Sequence, residues 1–144
     1  MTTKEWLNRG WRIDREIREL ERAQKEALNL ATRITTGTDG ERVGGTKANS
    51  SERNMVTYAD KVTEYTALIN KKIAELVEVK LEIFKAIYTL KDSDYRKVLI
   101  ARYINFKKWE LIADECNVDE RYIFKIHDRA INVLNRTLKD SIKV

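Results

Sequence analysis

The chain has 144 residues, 28 of them basic and 23 acidic, for a net charge of +5. At 42 % hydrophobic and 35 % charged, it is too apolar for a wholly disordered chain and too charged for a membrane protein. A single Cys (Cys116) and a single His (His127) exclude a disulfide framework and a Cys/His zinc site, so no metal or other cofactor is expected. No apolar run approaches the ~18 residues of a membrane span, and the opening MTTKEWLNRGWR lacks a signal peptide's apolar core. The expectation is an intracellular binding protein with no catalytic residues and no membrane partner.

Glycine and proline suggest the architecture. Proline is absent, and four of the five glycines (Gly37, Gly40, Gly44 and Gly45) fall close together. Long helices joined by one long loop are expected, an all-α chain. The first helix should run from about Lys4 to Ile34. Its residues Ile13, Ile17, Leu20, Gln24, Ala27, Ala31 and Ile34 repeat at alternating steps of four and three, the seam of a helix packed on another. Trp6 extends the seam, and Gly10 reads as a weak point. The opposite face, with Arg12–Glu16, Arg15–Glu19 and Arg22–Glu26 four apart, reads as solvated charge.

Residues 35–52 lack periodicity and read as a flexible loop. Gly40 to Lys47 superficially resembles a phosphate-binding loop. However, its Thr46-Lys47 order is reversed and no strand precedes it, so nucleotide binding is not expected. A second helix should follow from Arg53 to Leu90, capped by Ser50 or Ser51. Val62, Ile69, Ile73, Leu76, Ile83, Ile87 and Leu90 continue the seam, while Leu68, Val77, Phe84 and Tyr88 widen it. Residues 1–91 are therefore expected as a long antiparallel, coiled-coil-like hairpin. It carries more apolar surface than one helix pair can bury, which suggests a homodimer.

After Lys91 the helices shorten to Asp92–Ile104, Trp109–Cys116 and Asp119 to about Leu138, and residues 92–144 form the second expected domain. This third of the chain also holds the largest share of the positive excess. The last two helices fit a helix-turn-helix, which needs apolar side chains where its helices cross and a turn residue tolerant of positive φ. Ile112, Cys116, Val118, Ile123 and Ile126 supply the apolar positions, Ala113 the small crossing position and Asn117 the turn. Asp119 should cap the second helix.

The stretch from Tyr95 to Leu134 also resembles the region-four domain of bacterial sigma factors. The resemblance rests on Arg102-Tyr103, Trp109-Glu110, Ile112-Ala113, and Arg129-Ala130 followed by Leu134. With its N-terminal helices, the whole chain is similar to the sigma-like phage regulators of the ArpU/RinA type. That resemblance implies transcription regulation of phage late genes in a bacterial cytoplasm, with double-stranded DNA and possible host RNA polymerase as partners. Asn117 in place of Gly and Asp119 in place of Ser depart from the usual turn.

If the last helix enters the major groove, its early exposed residues Glu120, Arg121, Tyr122, Phe124 and Lys125, with Arg129 a turn later, face base edges. Lys107, Lys108 and Arg102 suit phosphates, which fix register without reading sequence. Tyr122 could instead pack as core. His127 reads as a helix-face residue or a phosphate neighbour. Two other functions remain open: a module that binds RNA polymerase or a repressor without touching DNA, and a DNA-recognition subunit like the small terminases.

Overall fold

The structure, a computed structural model, describes the backbone of residues 1–37 and 45–142 and the side chains of 1–33 and 57–139. The described residues form helices α1 (Thr3–Leu7), α2 (Arg9–Gly37), α3 (Gly45–Tyr88), α4 (Ser93–Leu99), α5 (Trp109–Cys116) and α6 (Glu120–Ile142). A π-helical turn, Ile100–Ile104, follows α4, and no strand occurs among the described residues. The chain is all-α, as its composition predicts.

The element bounds follow local chemistry more than apolar periodicity. Thr2 and Glu5 form a reciprocal cap at the start of α1, with Glu5 N donating to Thr2 Oγ1 and Thr2 N donating to Glu5 Oε2, both at 3.1 Å. The expected single helix from Lys4 is interrupted at Asn8, not at Gly10. Gly10 is buried, and a Cβ there would lie 3.3 Å from the Phe106 ring. Its missing side chain therefore permits close packing, which corrects its reading as a weak point.

Helix α3 begins at Gly45, eight residues before the expected Arg53, so Ser50 and Ser51 lie within it and not at its start. The apolar pattern fades before the helix does, because a helical backbone satisfies its own hydrogen bonds without an apolar face. Of the loop expected over 35–52, residues 38–44 lie outside the described residues. Asp92 caps α4 through Oδ1, which accepts from Asp94 N at 2.8 Å.

The chain divides into two compact units, Met1–Ile13 with Glu75–Val144, and Asp14–Ala74. In the second unit, Ile17 and Ile69 are buried. The seam residue Gln24 donates to Val62 O at 3.0 Å and to Thr66 Oγ1 at 2.6 Å, and Lys72 pairs with Glu16 at 2.7 Å. Contacts thus couple residues whose numbers rise on α2 as they fall on α3.

The first unit holds two apolar clusters. One joins Leu7, Ile83, Ile87, Leu90, Leu99, Tyr103, Ala130 and Leu134. The other joins Val98, Ala101, Ile112, Ala113 and Ile123. A boundary between 91 and 92 does not describe this core, which draws in Leu7 and the end of α3. Thr3 Oγ1 adds a polar tie, donating to Asn135 Oδ1 at 2.7 Å. Helix α6 serves both clusters, because Ile123, His127, Ala130 and Leu134 stand at steps of four, three and four on one face.

That division of α6 is testable by truncation. Leu134 has no exposed surface, so Leu134→Ala should cost ~2–5 kcal/mol, the range for emptying a packed site. Val133→Ala, at a site 37 % exposed, should cost clearly less, ~1 kcal/mol or below. Urea unfolding of both variants checks this, and equal losses would contradict the assigned core face.

Candidate functional site

Helices α5 and α6 meet where the sequence analysis places its apolar positions. Ile112, Ala113 and Ile123 are buried in one cluster with Val98 and Ala101, and Cys116, Val118, Ile126 and Trp109 pack around them. Helix α5 ends at Asn117, which adopts φ 55° and ψ 40°. Val118 N donates to Ala113 O at 3.1 Å and Asn117 N to Asp114 O at 3.2 Å, satisfying carbonyls at the helix end. Asparagine tolerates the left-handed conformation better than most residues, so the departure from Gly leaves the turn intact. The Asp119 carbonyl then accepts from Tyr122 N and Ile123 N.

The exposed side of α6 is sorted by charge. Arg121, Lys125, Arg129, Arg136 and Lys139 are all exposed and have no ion pair among the described residues. At 100° per residue they fall within an arc of about 80°, nearly opposite the buried Ile123, His127, Ala130 and Leu134. The stripe is about 27 Å long. Asp128, at its edge, is the one acid beside it among the described side chains, and its carboxylate is turned toward His127. Arg121, Lys125 and Arg129 are expected from the sequence, whereas Arg136 and Lys139 are not. Their register with the first three was the available signal.

Of the other proposed base-facing residues, Tyr122 borders the stripe, while Glu120 and Phe124 lie away from it. Tyr122 is 51 % exposed and so is not core. Phe124, 41 % exposed, packs its ring 5.0 Å from that of Trp109. Glu120 is half-buried and, with Phe124 and Arg121, lines a groove of about 550 Å³ that also carries Glu110, Asp114 and Asp119. This groove is acidic, in contrast to the basic stripe beside it. Among the described residues, no group of three His, Cys, Asp or Glu comes together as a metal site.

The three residues expected at phosphates separate in the same way. Lys108 is exposed at the start of α5. Lys107 is held by Glu115, with Nζ 2.8 and 2.9 Å from the two carboxylate oxygens. Arg102 is half-buried, its guanidinium 4.6 Å from the ring centres of both Trp11 and Trp109. It donates to Lys107 O at 3.0 Å, and its own carbonyl accepts from Trp11 Nε1 at 3.0 Å. Burial lowers the Arg102 pKa, with the neighbouring Tyr103 acting in the opposite direction. Arg102 is therefore committed to internal packing.

His127 also departs from its expected place, being only 3 % exposed and so no phosphate neighbour. Its Nε2 lies 2.6 Å from Tyr103 Oη, and its ring meets Trp109 edge-on at 4.7 Å. Nδ1 lies 3.6 Å from Asp128 Oδ1, which favours a proton on Nδ1 and leaves Nε2 to accept from the tyrosine hydroxyl. Burial pushes the Tyr103 pKa up to about 12, keeping that hydroxyl protonated. Burial also lowers the His127 pKa, against the opposing pull of Asp128.

These elements define an all-helical protein whose last helix has an apolar side and a basic side. A family model described as a protein of unknown function (DUF1492) matches residues 41–135, about two thirds of the chain, and the chain belongs to that family. No curated protein and no solved structure matches it. The matched residues include all of α5 and the turn, and the basic stripe as far as Arg129, but neither Leu7 nor Trp11 of the core.

The buried histidine predicts a pH dependence. Because its folded pKa lies below the ordinary 6.5, the unfolded chain binds the proton more readily. This stability is intact above about pH 6.5 and falls as the pH drops from there toward the lowered folded value. Thermal unfolding between pH 7.5 and 5.5 should show a decline that His127→Gln flattens. An unchanged slope in the variant would contradict the assignment.

Proposed function

We propose that this chain is a sequence-specific DNA-binding transcriptional regulator acting through a helix-turn-helix formed by α5, the Asn117 turn and α6. In this reading the N-terminal helices form an antiparallel hairpin and the protein works as a homodimer. The observation that carries it is the basic stripe of α6, set opposite the core and without an ion pair among the described residues. A neighbouring aspartate or glutamate partner would have spent that charge inside the fold. Unpaired cations repeated along one exposed helix face suit a polyanion, since each phosphate neutralised releases condensed counterions. An α-helix is also the element that fits the major groove.

The chemistry assigns different work to different residues. Arg121, in the first turn of α6, donates to guanine O6 and N7, with Lys125 and Arg129 continuing along the groove. Lys108, exposed before α5, meets a phosphate. Glu120 and Phe124 stand on the acidic side, where a phosphate would be repelled, and contribute less than the sequence analysis expects. The resemblance to sigma-like phage regulators adds the setting: activation of late genes of a phage or mobile element in a bacterial cytoplasm, with RNA polymerase as a second partner.

The acidic groove favours one other reading. Glu110, Asp114, Asp119 and Glu120 around Phe124 suit a basic protein segment, so a module that engages polymerase or a repressor without touching DNA is the alternative.

Binding titrations against the native operator and a scrambled duplex, over several salt concentrations, separate these readings. Arg121→Ala should lose ~1–3 kcal/mol on the operator and far less on the scrambled duplex. Lys108→Ala should weaken both alike and reduce the salt slope by about one unit. Arg136→Ala with Lys139→Ala should reduce it by about two. No loss for any variant would transfer the function to the acidic groove.

A further inference from the structure

A second face of the protein is exposed without being charged. On α3, Val77, Leu81, Phe84 and Tyr88 are 61, 52, 37 and 65 % exposed. They stand at steps of four, three and four, so they share an arc of about 60° that excludes the buried Ile83, Ile87 and Leu90. Phe84 and Tyr88 pack their rings 5.3 Å apart, making a continuous aromatic end to the stripe. Contiguous exposed apolar surface of this kind marks an interaction site.

We propose that this stripe is an antiparallel, two-fold symmetric docking seam for a second copy of the same chain. The proposal rests on the dimer reading above and adds the face and register. The stripe is complementary to its own reverse. With a two-fold axis between residues 82 and 83, Val77 lies opposite the partner's Tyr88, and Leu81 opposite the partner's Phe84. A smaller side chain meets a larger one at every layer, which lets the two copies interdigitate.

Charge selects the same arrangement. Glu78 and Lys85 are exposed, lie on the same flank of the stripe seven residues apart, and make no ion pair among the described residues. An antiparallel partner brings Glu78 beside the partner's Lys85, and the symmetry repeats the pair. In a parallel pairing this flank would instead face the opposite flank, setting Lys85 near the partner's Lys80. Lys80 is already fixed 4.4 Å over the Phe106 ring and cannot turn away freely.

Sedimentation equilibrium of the full-length protein tests the seam, with circular dichroism as the check on folding. The wild type should dimerise at micromolar concentration, and Leu81→Glu should weaken the dimer at least about tenfold without changing helix content, because the side chain is exposed. Glu78→Lys and Lys85→Glu should each weaken it, and the double reversal should restore it to within about threefold of wild type. A monomeric wild type would overturn both the dimer reading and the seam, leaving the stripe to a different protein. A wild-type dimer indifferent to Leu81→Glu would overturn the seam alone. Weakening by Leu81→Glu without rescue by the double reversal would overturn the antiparallel register. DNA binding can fail or succeed without altering these outcomes.

Discussion

The fold of the unit formed by Met1–Ile13 and Glu75–Val144 depends on one cation held between two indoles. Arg102 lies between Trp11 and Trp109, donates to the Lys107 carbonyl, and receives Trp11 Nε1 on its own carbonyl. Three parts of the chain meet there: the start of α2, the π-helical turn and the start of α5. A stacked guanidinium gains more from an aromatic face when it is desolvated, up to ~2 kcal/mol per ring, and a planar donor suits two rings at once. The backbone around it is bent to suit. Asn105 N reaches back to Ile100 O and Lys107 N to Ala101 O, both at 3.0 Å, and Phe106 takes a positive φ of 55°. Phe106 is thereby set against Trp11 at 4.9 Å and close to Gly10, where any larger side chain would intrude. The widened turn and the left-handed Phe106 are local costs that the surrounding packing offsets.

With α4, the turn and α5 fixed in this way, α6 has one side on which to pack. Ile123 closes one cluster, while Ala130 and Leu134 close the other, and His127 sits between them under Tyr103 and Trp109. The residues left outside are then sorted: basic along the far side of the helix, acidic in the groove beside α5. Separation of charge on so small a surface orients an approaching polyanion toward the basic stripe and away from the groove. The apolar stripe on α3 lies on a different helix from both, so the proposed assembly with a second copy and the proposed contact with nucleic acid would use different residues.

Much of this was legible in the sequence where local rules decide the outcome. Trp109–Cys116 has the bounds its pattern predicts, Asn117 takes the left-handed conformation, and the five apolar positions with Ala113 fall in one cluster. Each is set by neighbours a few residues away. The failures share a different cause. Arg102 and Lys107 read as phosphate contacts because a cation near a turn has no sequence mark that distinguishes an internal partner. That partner for Arg102 is Trp11, 91 residues away, and for Lys107 it is Glu115. His127 gave no sign of its tyrosine, although its step of four from Ile123 and three to Ala130 placed it on the buried face. The helical start at Gly45 was hidden because periodicity reports an apolar face and not a helix. Arg136 and Lys139 lie beyond the first turns of α6, and only their helical register with Arg121, Lys125 and Arg129 marks them in the sequence.

The central claim is that the outer face of α6 is where this protein meets DNA. Backbone amide NMR of the full-length protein, titrated with a duplex carrying its operator, tests it residue by residue. The account predicts that the largest shifts follow Arg121, Lys125, Arg129, Arg136 and the exposed Lys108, while Val77 to Tyr88 and the groove residues Glu110 and Asp114 move little. Shifts concentrated on Glu110, Asp114 and Asp119, or no shifts at saturating duplex, would contradict it.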